Sequence, residues 1–324
     1  MYSQAELKEL VEKAIANLAI STEAEKLTAP VKYILSIGGK RLRPVLALMS
    51  CNLFRDKIDE AVLPATGLEV FHNFTLVHDD IMDQAPVRRN LPTVHIRWNL
   101  NQAILSGDVM AFIANECFLQ TPPASLARVF KAYNRAAVDV CIGQQLDMDF
   151  EKAAVVGHSE YLRMIEMKTA SLIAASAKVG AIIGEAPEKD CDHMFEFGRN
   201  LGLAFQIQDD LLDVYGDAGV FGKASGGDIV SNKKTFLLLR ALELSTGNTR
   251  KALEEQITEK NPDPAAKIRK VTEIYDSLNI REIAEQLANE YISGSLGHLE
   301  KVSADPERKK ELTLLANSLI GRNK

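Results

Sequence analysis

Strand signals are almost absent from this sequence. No sustained alternation of apolar and polar residues bounded by hairpin turns occurs along it, so strands are not expected to carry the fold. Cysteine is scarce. Cys51, Cys117, Cys141 and Cys191 form no CxxC pair, and each lies in a helical-looking stretch. They read as reduced, mostly buried thiols of a cytoplasmic protein. No run is apolar enough to cross a bilayer. The most apolar stretch, Ser171 to Gly184, is interrupted by Lys178 and is too short to span. The opening residues carry Glu6, Lys8, Glu9, Glu12 and Lys13 among apolar positions, the pattern of an amphipathic helix and not of a secretion signal. Basic residues are not in excess: 38 Lys and Arg stand against 44 Asp and Glu, for a net charge of −6. Nucleic acid is therefore not an expected partner. Neither a Pro/Ser-rich linker nor a low-complexity tract divides the chain. One soluble domain spanning residues 1–324 is expected.

What is present is helix. The hydrophobic fraction of 46% and charged fraction of 25% are those of an ordinary globular chain. Ser3 with Glu6, and Thr22 with Glu25, have capping-box spacing. Asp263-Pro264 and Asp305-Pro306 each place an N-cap residue before a proline at the first helical position. The pattern predicts helices near residues 4–19, 23–37, 43–54, 60–83, 100–120, 124–150, 159–184, 188–214, 233–245, 249–258, 264–278, 280–302 and 306–320. Glycine-rich breaks fall at Gly38-Gly39 and between Gly216 and Gly227. Segments 171–184 and 201–212 are apolar on most faces, so they should be buried centrally. The expected architecture is all-α, a helical bundle with polar residues gathered in a central cavity.

Two short stretches carry the chemistry. Asp79, Asp80 and Asp83 sit at i, i+1 and i+4 in an otherwise apolar segment, and Asp209, Asp210 and Asp213 repeat that spacing. On a helix the i and i+4 side chains stack, and i+1 lies about 100° around, so all three crowd one side. Two anions about 4 Å apart repel by roughly 4 kcal/mol at an effective dielectric near 20. Such clustering gains nothing unless a cation sits among the oxygens. Hard oxygen ligands suit Mg²⁺, which fills its remaining positions with water and substrate phosphates.

Basic residues accompany both motifs. In Gly38-Gly39-Lys40-Arg41-Leu42-Arg43-Pro44 two glycines break one helix and Pro44 is placed to open the next. Lys40, Arg41 and Arg43 then gather near a helix N-terminus, where amide N–H groups also favour anions. His72 lies two turns before Asp79 on nearly the same face, placed to donate to a phosphate oxygen. Arg88 and Arg89 follow Asp83, and an Arg pair beside metal-binding carboxylates suits bidentate phosphate recognition. Further along come Gln144 and Asp147, Lys168-Thr169 within an apolar helix, and Phe205-Gln206 before the second motif. Lys223 and then Asn232-Lys233-Lys234-Thr235 follow it.

The order GGKRLRP, LVHDDIMD, RR, GQQLD, KT, FQ, DDLLD, GK, NKKT resembles the trans-isoprenyl diphosphate synthase family, the all-α polyprenyl synthetases. The resemblance runs from about Val31 to Leu239, and the residues after 245 carry no readable signature. It implies head-to-tail condensation of an allylic diphosphate with isopentenyl diphosphate, releasing pyrophosphate. By residue-wise match Asp79, Asp80 and Asp83 would hold two Mg²⁺ on one side of the allylic diphosphate. Asp209 would hold a third from the other side, supported by Asp210 and Asp213. Arg88, Lys168, Lys223 and Lys233 would contact that diphosphate. Lys40, Arg43, His72 and Arg89 would hold isopentenyl diphosphate. Gln144 and Asp147 would position the allylic group or metal-bound water, and Thr169 and Gln206 would turn oxygens toward the allylic cation.

The resemblance also bears on product length. Phe74, five residues before the first aspartate, would floor the hydrophobic pocket beside the smaller Thr75. That is a short-chain pattern in which C20 is favoured and C15 is next. An ideal helical wheel does not place Phe74 on the carboxylate face, so this expectation rests on the resemblance. The family pattern often has Gly before the lysine at 233, where this chain has Asn232; Lys234 stands by as a substitute. A homodimer is usual in the family. Two other readings stand beside this one. A terpene cyclase typically lacks the second DDxxD and the GGKRxRP element. A non-catalytic subunit of a heteromeric synthase would show degraded aspartate motifs.

Overall fold

The computed structural model describes residues 1–20, 23–153, 155–216, 226–259 and 262–320. It is all-α, as expected. Helices α1 (Gln4–Ala16), α2 (Glu25–Ser36), α3 (Leu42–Phe54) and α4 (Asp59–Met82) lead into a hairpin, β1 (Val87–Arg88) and β2 (Leu91–Pro92). Then come α5 (Val94–Arg97), α6 (Leu100–Phe118), α7 (Pro123–Lys152) and α8 (His158–Ile165). A π-turn (Glu166–Ala170) joins α8 to α9 (Ser171–Ile183), and α10 (Glu188–Tyr215) follows. After the glycine-rich break come α11 (Gly227–Val230), α12 (Phe236–Leu244), α13 (Gly247–Thr258), α14 (Pro264–Ser277), α15 (Ile280–Lys301) and α16 (Pro306–Ile320).

Local chemistry sets most of these boundaries. At α1 the Ser3 amide donates to Glu6 Oε2 at 2.7 Å while the Glu6 amide donates to Ser3 Oγ, the reciprocal box its spacing predicts. Asp263 accepts from the Ala266 amide at 3.2 Å with Pro264 opening α14. Thr22 lies outside the described residues, and α2 starts after Ala24 without a side-chain cap. The helix expected from residue 233 begins at Phe236 instead, because Thr235 turns its side chain back to cap it. The helix expected over 159–184 is interrupted by the π-turn. The hairpin and the four-residue α5 and α11 were not foreseen, since each spans only about one repeat of its own period and a single repeat shows no periodicity.

Contacts gather the chain into two compact units. One comprises Met1–Arg135, Leu172–Gly198 and Leu299–Thr313; the other comprises Ala136–Ser171, Arg199–His298 and Leu314–Lys324. Every crossing between them falls inside a helix, which is why no linker composition marks it. In the first unit α4 packs on α3 and α6, burying Leu46, Leu68 and Met110 completely. Each such side chain stabilises the unit by about 1.5–3 kcal/mol relative to exposure. Phe118 stacks on Tyr133 with ring centroids 3.9 Å apart, and Phe71 meets the same tyrosine edge-on. Pro30 withholds a donor from the α2 ladder, and the Lys26 carbonyl that it leaves is met by Gln102 Nε2 at 3.2 Å. The second unit is built around Ile207, Leu211, Leu237, Leu253, Val271 and Tyr275.

Residues 171–184 are buried apart from half-buried Lys178, as their composition predicts. Within 201–212 the breaks in burial fall at Phe205, Gln206, Asp209 and Leu212. All four cysteines are free; Cys51, Cys117 and Cys191 are buried and Cys141 is exposed. Among the described residues no helix is long and apolar enough to cross a membrane.

Candidate active site

In the first unit the basic cluster forms around two glycines. Gly38 and Gly39 have φ of +82° and +145°, so both need the freedom that glycine has. A Cβ on Gly39 would lie 2.7 Å from Arg89 Nη1. Its absence lets the Arg89 guanidinium donate to the Gly38 carbonyl. Arg89 and Asn90, with φ of +51° and +62°, form the two-residue turn between Arg88 and Leu91, a type I′ hairpin. The Arg pair expected to grip phosphate thus rides on a tight turn.

Arg41, which the sequence groups with Lys40 and Arg43, turns inward. It caps α3 in the left-handed region at φ +52° and is buried. Its guanidinium donates to Glu12 Oε1 at 2.9 Å, Glu69 Oε1 at 2.7 Å and the Leu35 carbonyl at 2.7 Å. Asn73 Nδ2 also donates to Glu69 Oε1, at 3.1 Å. Arg41 therefore anchors the N-terminus of α3 to α1, α2 and α4. Arg43 remains beside it, its guanidinium pushed down to about 10 by burial, against which Glu69 acts. Its Nε is buried without a hydrogen-bond partner among the described residues. His72 is held well below the usual imidazole value by burial, then by Arg43, Arg89, Arg88 and Arg41. Lys40 is exposed at the rim of the same turn. Gathered cations with an unanswered donor are chemistry suited to an anion.

The first acidic motif closes α4. Asp79 and Asp80 occupy its last turn and Asp83 is its C-cap. Three carboxylates at the negative end of a 24-residue helix oppose the dipole as well as one another. Arg88 relieves part of this, with Nε 2.8 Å from Asp80 Oδ2, Nη2 2.7 Å from Asp80 Oδ1 and Nη2 3.6 Å from Asp79 Oδ2. Asp80 is buried and its carboxyl raised, burial outweighing Arg88. Asp83 faces solvent. One turn earlier the Phe74 ring packs between Phe71 at 5.3 Å and His78 at 4.8 Å, and Thr75 Oγ1 donates to the His72 carbonyl. His78 is itself seated against Gly107, where a Cβ would come within 2.3 Å of its Nε2.

The second unit repeats the arrangement. Asp209, Asp210 and Asp213 lie near the C-terminal end of α10. Asp209 is exposed, Asp210 buried and Asp213 half-buried. Asp210 accepts from the Tyr161 hydroxyl, from Gln206 Nε2 at 3.0 Å and from the Phe236 amide at 3.4 Å. Burial, then Asp228, pushes its carboxyl up to about 7. Thr169 Oγ1 donates to Gln206 Oε1 at 2.8 Å, and Lys168 Nζ donates to Asp147 Oδ2 at 2.6 Å. Four expected site residues thus pair with each other, both pairs starting from the π-turn. Gln144, on α7, is half-buried one turn from Asp147. Asp213 Oδ2 accepts from the Asp228 amide at 3.0 Å, holding α11, and Lys233 is exposed just beyond it. Lys223 lies outside the described residues.

The donor sets suit Mg²⁺ by chemistry, being all hard carboxylate oxygens whose mutual repulsion a divalent ion would relieve. Among the described residues no three His, Cys, Asp or Glu side chains are grouped closely enough to hold an ion. Glu69, Asn73 and Tyr161 escaped the sequence reading. For Glu69 and Asn73 a signal existed: polar residues at i and i+4 inside the apolar run 61–77. Tyr161 gave none.

A family profile described as polyprenyl synthetase matches residues 24–275. The chain belongs to the polyprenyl synthetase family. The resemblance read from the motifs is therefore correct, and the named relatives support short-chain trans-prenyltransferase activity. It is similar to a geranylgeranyl diphosphate synthase of Sulfolobus acidocaldarius, 36% identical over 94% of this chain and 93% of that one. It is also similar to a geranylfarnesyl diphosphate synthase of Natronomonas pharaonis, at 33% identity over 98% and 96%. Among solved family structures, a crystal structure of a geranylgeranyl pyrophosphate synthase matches with TM-score 0.95 and 38% identity over 100% of both chains. The synthetase from Pyrococcus horikoshii matches at 0.92 and 33% over 98% of each. The cyclase and non-catalytic readings gain no support from these relatives.

Proposed function

We propose that this chain is a Mg²⁺-dependent synthase that joins isopentenyl diphosphate head to tail to an allylic diphosphate and stops at C20, with C15 next. The observation that carries the reading is the cation cluster of the first unit. There, among the described residues, Arg43 keeps a buried Nε without a partner and His72 stays neutral among arginines. Lys40, Arg43, His72 and Arg89 would bind isopentenyl diphosphate. Arg88, Lys168, Lys223 and Lys233 would bind the allylic diphosphate. Asp79, Asp80, Asp83, Asp209, Asp210, Asp213 and Asp147 would hold three Mg²⁺. When bound, Mg²⁺ supplies charge neutralisation for the departing pyrophosphate. Arg88 and the lysines add fixed positive charge where that negative charge grows. Thr169 and Gln206 would turn oxygens toward the allylic cation. The departed pyrophosphate accepts the proton, so no side chain is assigned as general base.

C20 is supported by the names of several relatives, and the Phe74 ring, held between Phe71 and His78, would floor the pocket. A single polyprenyl synthetase domain over 1–324 belongs to the same proposal, since the family profile covers parts of both units. So does a homodimer, for which α6 and its C-cap supply a surface: Leu105, Phe112 and the C-cap Leu119 recur at heptad spacing and are exposed. Free thiols suit the cytoplasm.

The deciding experiment incubates purified protein and Mg²⁺ with isopentenyl diphosphate and C5, C10 or C15 allylic diphosphates, then sizes the products. All-trans C20 diphosphate is expected. Cyclic hydrocarbon alone, or no elongation, would refute the reading. Phe74→Ala should lengthen the product, and an unchanged distribution would remove Phe74 as the floor.

A further inference from the structure

The stretch after the second acidic motif carries the exposed Lys233, and it is clamped from a part of the chain that has no motif of its own. Asn232 stands at φ +57°, a region few non-glycine residues enter, asparagine among them. The backbone thus explains how Asn replaces the glycine frequent at this position. Its side chain does more than glycine would. Asn232 Nδ2 donates to the Ile257 carbonyl at 3.1 Å, near the end of α13, and Oδ1 accepts from Lys267 Nζ at 2.7 Å.

Lys267 lies early in α14 and is 3% exposed. The same ammonium donates to the Val230 carbonyl at 3.1 Å, the last residue of α11. Burying an ammonium is costly unless its hydrogen bonds are answered, and among the described residues its acceptors, Val230 and Asn232, belong to the segment just before Lys233. Around them the Lys233 amide donates to the Asp228 carbonyl at 2.9 Å and the Thr235 amide to the Lys233 carbonyl at 2.8 Å. Residues 226–236 are thereby tied to Asp213 at one end, to Asp210 through the Phe236 amide at the other, and to Lys267 in the middle.

We propose that Lys267 and the Asn232 side chain form a clamp that fixes the Lys233 backbone for the allylic diphosphate, making Lys267 a positioning residue for prenyl transfer. The inference rests on the reading of Lys233 as a diphosphate ligand. The test is a double-mutant cycle in steady-state kinetics with farnesyl diphosphate, isopentenyl diphosphate and Mg²⁺, using Lys233→Ala, Lys267→Met and their combination. Lys267→Met should raise the KM for farnesyl diphosphate about tenfold. The KM for isopentenyl diphosphate should stay unchanged, and Lys267→Arg should recover part of the loss. The double variant should be no worse than Lys233→Ala, since both act through one contact.

If Lys233→Ala raises that KM while Lys267→Met does not, or if the two effects multiply, the clamp is overturned and the ligand reading stands. If Lys233→Ala leaves the KM unaltered, the ligand reading falls and takes the clamp with it. Asn232→Gly keeps the left-handed backbone and deletes both side-chain bonds. It replaces Lys267→Met in the same cycle should that variant not fold.

Discussion

His72 is surrounded by Arg43, Arg89, Arg88 and Arg41, and the folded protein keeps its imidazole neutral. An unfolded chain has no such surroundings, and its histidine titrates near the ordinary 6.5. The folded state therefore binds fewer protons than the unfolded one as pH falls. Stability from this residue is complete above that ordinary value and is lost on acidification below it. Thermal denaturation without diphosphate, followed between about pH 8 and pH 5, should show the melting temperature falling on the acid side. His72→Gln should flatten that fall; an unchanged slope would exclude His72 as its source. At this scale the aspartates and most of the cations were legible, because clustered like charge inside an apolar segment has few other uses. Tyr161 was not, since a lone polar residue shows its partner only once the chain has folded.

The start of α3 depends on a residue in an unfavourable conformation. A non-glycine residue in the left-handed region costs about 1–2 kcal/mol, and at Arg41 this is offset by buried bonds to Glu12, Glu69 and the Leu35 carbonyl. Removing one partner of a buried pair leaves the other charge unanswered. Arg41→Met should therefore lose about 3–5 kcal/mol in urea unfolding. The double variant Arg41→Met/Glu69→Met should lose distinctly less than the sum of the single losses. Simple additivity would show that the pair is not coupled. Sequence reading grouped Arg41 with Lys40 and Arg43 because motif spacing does not reveal which of neighbouring cations turns inward. The hairpin was missed for a different reason: two-residue strands have no periodicity to detect, and only Asn90 hinted at the turn.

For the whole chain, helix content and order were readable because the 3.6-residue period persists through long amphipathic and buried stretches alike. The division into two compact units was not, since its crossings lie within helices and leave no trace in composition. Residues after 245 looked featureless, yet they supply Val271, Tyr275 and Ala284 to the second core, and Lys267 to the loop before Lys233. Packing constrains residue size and polarity without imposing a motif. The exposed stripe of α6 sets the prediction for assembly. Phe112, 67% exposed between Leu105 and Leu119, should matter more to self-association than to folding. Phe112→Arg should convert dimer to monomer in sedimentation velocity while melting remains cooperative. A dimer that survives would place the contact elsewhere.

Gly143 sits on α7 facing the backbone of Lys168, where a Cβ would fall 2.2 Å from the Lys168 nitrogen and 2.6 Å from its Cα. Exchanging glycine for alanine inside a helix ordinarily helps, by about 0.4–1 kcal/mol. Here one added methyl group has no vacant volume to enter, and the chain it would strike is the widened turn bearing Lys168 and Thr169. Gly143→Ala should reverse the usual sign, lowering both the melting temperature and turnover. The bulge would have to lift away, carrying its ammonium off Asp147.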